Sequence, residues 1–261
     1  MRSQTPLINP GARPPGTTTE QAAAASVQHM FDDIAPTYDR ANHLLSFGLD
    51  RLWWKRAASV FSAILARPKA HILDLCCGTG DMTSALLDLR PRQAEAQPII
   101  GLDFSAHMLE RARQKYPRRN ASFVEGDAMD LQYADNSIDL ITAAFGFRNL
   151  ANYAGALAQI HRVLRPGGQF GILECNQPPG LTGILYSLYF KRILPVLGGL
   201  ISGQPSAYRY LPASVERFPR PPQMLGLIRQ AGFIDFSWTS YTFGTAGLYR
   251  ASKPLQIPER L

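Results

Sequence analysis

The stretch HILDLCCGTGDMT, residues 71–83, joins an apolar run to a small-residue loop and then to a helix start. It is not a dinucleotide fingerprint, because Thr83 stands where a third glycine is needed, and it has no Gly-Lys-Ser/Thr to cradle a triphosphate. What remains is Asp74-x-Cys76-x-Gly78-Thr79-Gly80. Small residues there let the backbone approach a ligand, and helix-terminus N–H groups can receive a carboxylate. Asp74 is placed to meet a ligand ammonium. Asp103 closes PIIGLDF, roughly twenty residues further on, where an acid accepts hydrogen bonds from ribose hydroxyls. Asp127, in Gly126-Asp127-Ala128, follows a third apolar run and can accept from an adenine amino group. Three acids at successive strand ends suit a nucleoside that carries a cation and suit a phosphate badly.

Those ends need a scaffold, and the alternating periodicity supplies one. HILDL, PIIGLDF, ASFVEGD, SIDLITAAFGF and GGQFGILEC read as strands, separated by helical crossovers such as GDMTSALLDL, SAHMLERARQKY and YAGALAQIHRVL. Such alternation implies a parallel sheet with helices on both faces. PPQMLGLIRQAGF reads as a later helix, and IDFSWTSYT with GTAGLYRAS as an antiparallel hairpin. A mostly parallel seven-stranded sheet closed by a late hairpin is the plan of the class I S-adenosylmethionine-dependent methyltransferases, a Rossmann-like α/β fold. Residues 1–26 read as a disordered lead-in, 27–252 as one domain and 253–261 as a tail. Within the domain, 27–65 form a helical cap broken at Pro36 and Gly48, and 176–222 a substrate- or membrane-side insertion.

The net charge of +7 favours an anionic partner, whether nucleic acid, membrane surface or ligand. The three cysteines, Cys76, Cys77 and Cys175, form neither a disulfide framework nor a metal-ligand spacing. Reduced, buried thiols in a cytoplasmic protein are expected, with no metal. The N-terminus has no apolar core of a secretory signal. Lys191, Arg192 and Pro195 interrupt the apolar 181–203 segment and argue against a membrane span.

Two further blocks carry a resemblance. Tyr38-Asp39, Asn42, Ser46-Phe47-Gly48 and Arg51-Leu52-Trp53 form the first; FGFRNL at 145–150 with HRVLRPGG at 161–168 forms the second. Together with YRYLPASVERFP at 208–219, they resemble the quinone C-methyltransferases of menaquinone and ubiquinone synthesis, the UbiE/MenG family, over about residues 27–252. Ala144 stands where many relatives carry serine, and Trp54 where a basic residue is usual.

The resemblance implies S-adenosylmethionine held by Gly78, Thr79, Gly80, Asp103, Asp127 and Ala128, with a contact from Ala144 and Tyr38 covering it. It also implies methyl transfer to a ring carbon of a prenylated quinol, demethylmenaquinol before the ubiquinone-pathway benzoquinol or a phytyl naphthoquinol. Asp39 is then the first choice of base and His43 the second. Arg148 stabilises a phenolate oxygen, and Asn149 bonds the other ring oxygen. The apolar 181–203 segment either takes the prenyl tail, with Lys191 and Arg192 set for anionic headgroups at the inner membrane face, or packs internally as a helix pair with two snorkelling cations. Homo-oligomerisation stays open. A nucleic-acid methyltransferase is the rival reading, from the charge and Asn176-Gln177-Pro178-Pro179; a cofactor-binding scaffold without activity is another. No basic-aromatic recognition module supports nucleic acid as a partner.

Overall fold

The fold is seen in a computed structural model that describes residues 11–92, 94–196 and 205–256. Its centre is β1, Ile72–Leu75, and β4, Ile138–Ala144, whose side chains are buried almost without interruption. Continuous burial is what a parallel strand covered on both faces shows. Around them lie β2 (Ile99–Asp103), β3 (Ala121–Glu125), β5 (Leu164–Cys175), β6 (Ile234–Tyr241) and β7 (Ala246–Ser252). The seven strands run in the order β3-β2-β1-β4-β5-β7-β6. Strand β7 pairs antiparallel with β5 and β6, while the inner pairs are parallel. The expected class I methyltransferase plan is therefore present.

Helices cover both faces. On one, α7 (Tyr153–Val163) and α10 (Pro221–Gln230) bury Leu157, Ile160, Met224 and Ile228 against Ile141 and Phe170. On the other, α3 (Leu49–Ser59), α4 (Ser62–Leu65) and α5 (Asp81–Leu89) bring Trp53, Leu65 and Leu86 onto Leu140 and Leu248. Helix α6 (Ala106–Lys115) packs beside β2 and β3, its N-terminus capped by Ser105, which accepts from the Met108 N–H at 3.1 Å. The chain builds outward from β1 to β3, then returns past β1 to β4. That reversal leaves a crevice at the carboxyl ends of β1 and β4, where open α/β sheets bind ligands.

The N-terminal boundary differs from the sequence expectation. Helix α1, Glu20–Ile34, begins before Val27, because Thr19 caps it through the Ala22 N–H and an alanine run favours it. Residues 11–19 belong to the fold as well. Ala12 is buried and donates its N–H to the Leu150 carbonyl at 2.8 Å, and the Arg13 guanidinium donates to the Ala151 carbonyl at 2.8 Å. Of the expected lead-in, residues 1–10 lie outside the described residues. At the other end Lys253 exchanges backbone bonds with Gly167 and Gly168, so the tail starts later than expected.

After α1 come α2 (Tyr38–Leu45) and α3, with Gly48 at φ 72° making the bend between them. Following β5, α8 (Gly180–Leu188) runs into a π-helical turn, Tyr189–Ile193, and α9 (Pro205–Arg217) leads to α10. Among the described residues no helix is long and apolar enough to cross a membrane.

Candidate functional site

Two recesses open at the carboxyl ends of the central strands, and they share Tyr38, Gly78, Ala144, Phe145 and Asn149 as a common wall. The smaller contains Asp103, Asp127 and Ala128; the larger, a cavity of about 280 Å³, contains Arg148 and the aromatic rings of α2, α3 and α8. The loops that end β1 and β4 form the partition. Cys76 (φ 51°) and Phe145 (φ 58°) both take left-handed backbone there, an uncommon conformation for such side chains. Gly146 allows the loops to meet, since a Cβ on it would lie 2.3 Å from the Cys76 Cβ. Gly146→Ala is therefore expected to cost about 1–3 kcal/mol and to open the partition, a change that urea unfolding would measure.

In the smaller recess Asp103 holds the geometry. Its Oδ2 accepts from the Gly78 N–H at 2.8 Å and its Oδ1 from the Ser105 N–H at 2.9 Å. Burial pushes its carboxyl up to about 6, against the pull of those N–H bonds. Asp127 accepts from the Met129 N–H at 2.8 Å beside buried Ala128. Helix α1 laces over the top: Gln28 donates to the Phe104 carbonyl at 2.6 Å, and Asp32 accepts from the Ser105 hydroxyl at 2.5 Å. Sequence reasoning missed this cover, because α1 carries no recognisable ligand motif. Gly80 starts α5 at φ 85°, tight against Phe123.

Two expected contacts are redirected. Asp74 does not face the recess; it is fully buried and accepts from the hydroxyls of Thr83 (2.6 Å) and Thr142 (2.7 Å). Burial raises its carboxyl to about 7, so it pins α5 and β4 to β1 rather than meeting an ammonium. Asp39 likewise does not line the larger cavity. Its oxygens are held by the Thr79 hydroxyl (2.5 Å) and Lys115 Nζ (2.8 Å), and Lys115 also reaches Asp81 at 2.7 Å. A carboxylate engaged by an ammonium and a hydroxyl is poorly placed to take a substrate proton, and Asp39 instead fastens α2 to the glycine loop.

In the larger cavity the buried Arg148 is ion-paired to Glu174 Oε2 at 2.8 Å, and Glu174 is wholly inaccessible. Glu174 Oε1 also accepts the Arg148 backbone N–H at 3.0 Å, while the guanidinium donates to the Phe145 carbonyl and, at 3.3 Å, to Ser214. Burial works against the guanidinium's charge, but the adjacent Glu174 outweighs it and keeps the arginine cationic. Glu174 escaped the sequence reading; an acid near the end of the apolar GGQFGILEC run was the available signal.

Asn149 lies on the shared wall with both amide atoms buried and unbonded, and the buried Tyr186 and Tyr210 hydroxyls are also unbonded in the larger cavity. Buried polar atoms without partners are uncommon in native proteins, so three such groups around one cavity mark the place of a ligand. The remaining candidate, His43, sits behind the wall: its Nδ1 is 2.5 Å from Oδ2 of Asp50, which does line the cavity. Asn176, the start of the Asn-Gln-Pro-Pro run, is buried and bonded to Tyr249 (2.6 Å) and to the Glu174 carbonyl (3.0 Å), so it is not free to read a base. Among the described residues there is no cluster of His, Cys, Asp or Glu fit for a metal ion.

A model of the ubiE/COQ5 methyltransferase family matches residues 18–253. The demethylmenaquinone methyltransferase of Thermus thermophilus is 45% identical over 228 residues, covering 86% of this chain and 100% of that protein. The enzyme of the same name from Deinococcus radiodurans is 43% identical over 244 residues, 92% of this chain and 98% of that one. Among solved structures, a SAM-dependent methyltransferase from Thermotoga maritima superposes with TM-score 0.60 at 18% identity, over 87% of this chain and 99% of that chain. The cyclase SpnF gives 0.61 at 18% identity, over 94% and 99%. The last two share the fold, and a cyclase among them shows that the fold alone does not fix the reaction.

Proposed function

The chain belongs to the ubiE/COQ5 methyltransferase family, and from that premise we propose that it methylates a ring carbon of demethylmenaquinol with S-adenosylmethionine. The observation that carries this reading is the larger cavity: a mostly apolar wall with three unbonded buried polar groups, Asn149, Tyr186 and Tyr210, and one buried cation, Arg148. An acceptor that is hydrocarbon with a few ring oxygens matches it. A phosphate backbone does not, since Arg148 is already neutralised by Glu174.

The smaller recess fits the nucleoside half of the donor, with Asp103 set to accept from ribose hydroxyls and Asp127 from the adenine amino group. The Gly78-Thr79-Gly80 loop and the start of α5 hold the amino-acid end, and Tyr38 and Ala144 stand between donor and acceptor. When bound, S-adenosylmethionine supplies an electrophilic methyl group. The protein's part is to hold the ring beside it, since positioning two reactants accounts for much of such a rate. Arg148 faces the cavity with a fixed cation where phenolate charge develops, and Asn149 and the two tyrosines orient the ring through its oxygens.

The prenyl tail has an exit along α8, where Leu181, Ile184, Leu185 and Leu188 are all exposed, as is Phe47 on the neighbouring bend. This face suits a bilayer surface. Lys191 contributes little to it, because it is paired with Glu216 at 3.2 Å. Replacing Leu185 and Leu188 with serine is expected to reduce flotation with anionic liposomes without changing turnover of a short-tailed quinol. Burial of hydrocarbon at ~0.8 kcal/mol per CH₂ makes the loss several-fold or more.

The reading is tested by transfer of label from S-adenosylmethionine to reduced demethylmenaquinol, beside the ubiquinone-pathway benzoquinol and a structured RNA. Label on the naphthoquinol is the expected result. Label on RNA alone, or on none of the three, would overturn it.

A further inference from the structure

We propose that Asp50, backed by His43, is the base that removes the quinol hydroxyl proton, the role first assigned to Asp39. This rests on the function proposed above and names the group that performs its proton transfer. Asp50 sits in the first turn of α3, directly after the Gly48 bend, and only 4% of it is exposed. One carboxylate oxygen accepts from the Arg51 backbone N–H at 2.8 Å, and the other is 2.5 Å from His43 Nδ1. The His43 ring is held edge-on to Trp54, itself part of the cavity wall, and its side chain is 24% exposed. The pair thus spans the wall, with the carboxylate on the cavity side and the imidazole toward water.

The other titratable groups of that wall are unsuited. Burial pushes the thiols of Cys76, Cys77 and Cys175 up. It does the same to the hydroxyls of Tyr38, Tyr186, Tyr189 and Tyr210, so each holds its proton at neutral pH. Arg148 stays cationic. Asp81 is held by Lys115 and by the Tyr116 hydroxyl at 2.8 Å. Among the described residues this leaves Asp50 as the cavity-lining carboxylate without a lysine or arginine on it.

The step balances simply. The quinol O–H bond breaks, its electron pair stays on the oxygen as a phenolate opposite Arg148, and the proton passes to the Asp50–His43 pair. The pair returns it to water at the exposed imidazole edge. No oxidant or reductant is needed.

Asp50→Asn and His43→Gln test the idea in the full-length protein, with reduced demethylmenaquinol as acceptor and kcat followed from about pH 6.5 to about 9.5. Asp50→Asn is expected to lower kcat roughly 10²–10⁴-fold near neutrality. The loss should shrink about tenfold per pH unit, because a phenolic hydroxyl ionises unaided near 10. His43→Gln should show the same alkaline recovery from a smaller deficit, and Asp50→Glu should restore much of the neutral rate. Binding of S-adenosylhomocysteine should stay within about threefold in all three, since none of them touches the nucleoside recess. A deficit equal at every pH, or normal turnover in Asp50→Asn, would overturn the assignment. If Asp50→Asn does not fold, the His43→Gln profile decides: alkaline recovery supports the pair, and a flat profile overturns it. A wild-type protein that leaves the quinol unmethylated would instead remove the functional reading itself.

Discussion

Arg148→Met is expected to cost about 3–5 kcal/mol of folding free energy, because it strands Glu174 as a buried, unpaired charge, and to lower kcat about 10²–10³-fold. The two effects have different origins and can be separated. Glu174 has no solvent access, and its only cationic partner among the described residues is Arg148 at 2.8 Å. Replacing both with apolar residues removes the stranded charge, so Arg148→Met/Glu174→Leu should recover most of the stability in urea unfolding. Activity should not return. The guanidinium faces the larger cavity, where the quinol is proposed to sit, and loss of one preorganised group at a developing oxyanion typically costs about 10²–10³ in kcat. Arg148→Lys keeps the charge but loses the planar fork that serves Glu174, Phe145 and Ser214 together, so it should fall between. A double variant that regains both stability and turnover would reduce Arg148 to a structural part.

The second large effect belongs to Asp103. Asp103→Ala is expected to weaken S-adenosylhomocysteine binding by roughly 10²–10⁴, from two charge-assisted bonds of about 1.5–3 kcal/mol each to ribose hydroxyls. Titration calorimetry would measure it, and an unchanged affinity would place the ribose elsewhere. The same residue sets a pH dependence. Burial raises its carboxyl to about 6 in the free protein, so the carboxylate proposed to accept from the ribose is ionised above that value and protonated below it. Affinity should be level above about pH 6 and fall as pH drops through it. For folding the sign is opposite. The native state binds a proton more tightly than the unfolded chain, so this group's contribution is fully present below the ordinary aspartate value and is lost as pH rises through about 6. Asp74, raised to about 7, adds to the same trend. The ligand-free protein should therefore gain thermal stability from these two groups as pH is lowered from about 8 to about 5, and bound ligand should oppose that gain.

The order of the elements could be read from the sequence because each is written in local periodicity. Strand-like apolar runs, helical spacing and small loop residues act within a few positions of one another. Asp103 and Asp127 could be placed for the same reason: a residue at the end of a parallel strand points to the crevice edge wherever the strand lies in the sheet. The family blocks at 38–53 and 145–168 added the cofactor and the reaction class. Helix α1 was partly readable, but its true start depends on a single Thr19 cap amid residues whose composition suggests disorder.

Side-chain partners were another matter. Asp39 meets Lys115 because α2 folds over the glycine loop beside the end of α6, and Asp74 meets Thr142 because β1 and β4 are neighbours in the sheet. Arg148 meets Glu174 because β4 and β5 run parallel and bring their ends together, with Ala144 opposite Leu173. Asp50 reaches the cavity because the Gly48 bend turns α3 back past α2. The sequence by itself determined which residues carry charge and at which strand ends they stand. Tertiary structure alone decided which of those charges are already spent on one another. A carboxylate's availability depends on the cation or hydroxyl packed against it, and that neighbour comes from a distant part of the chain.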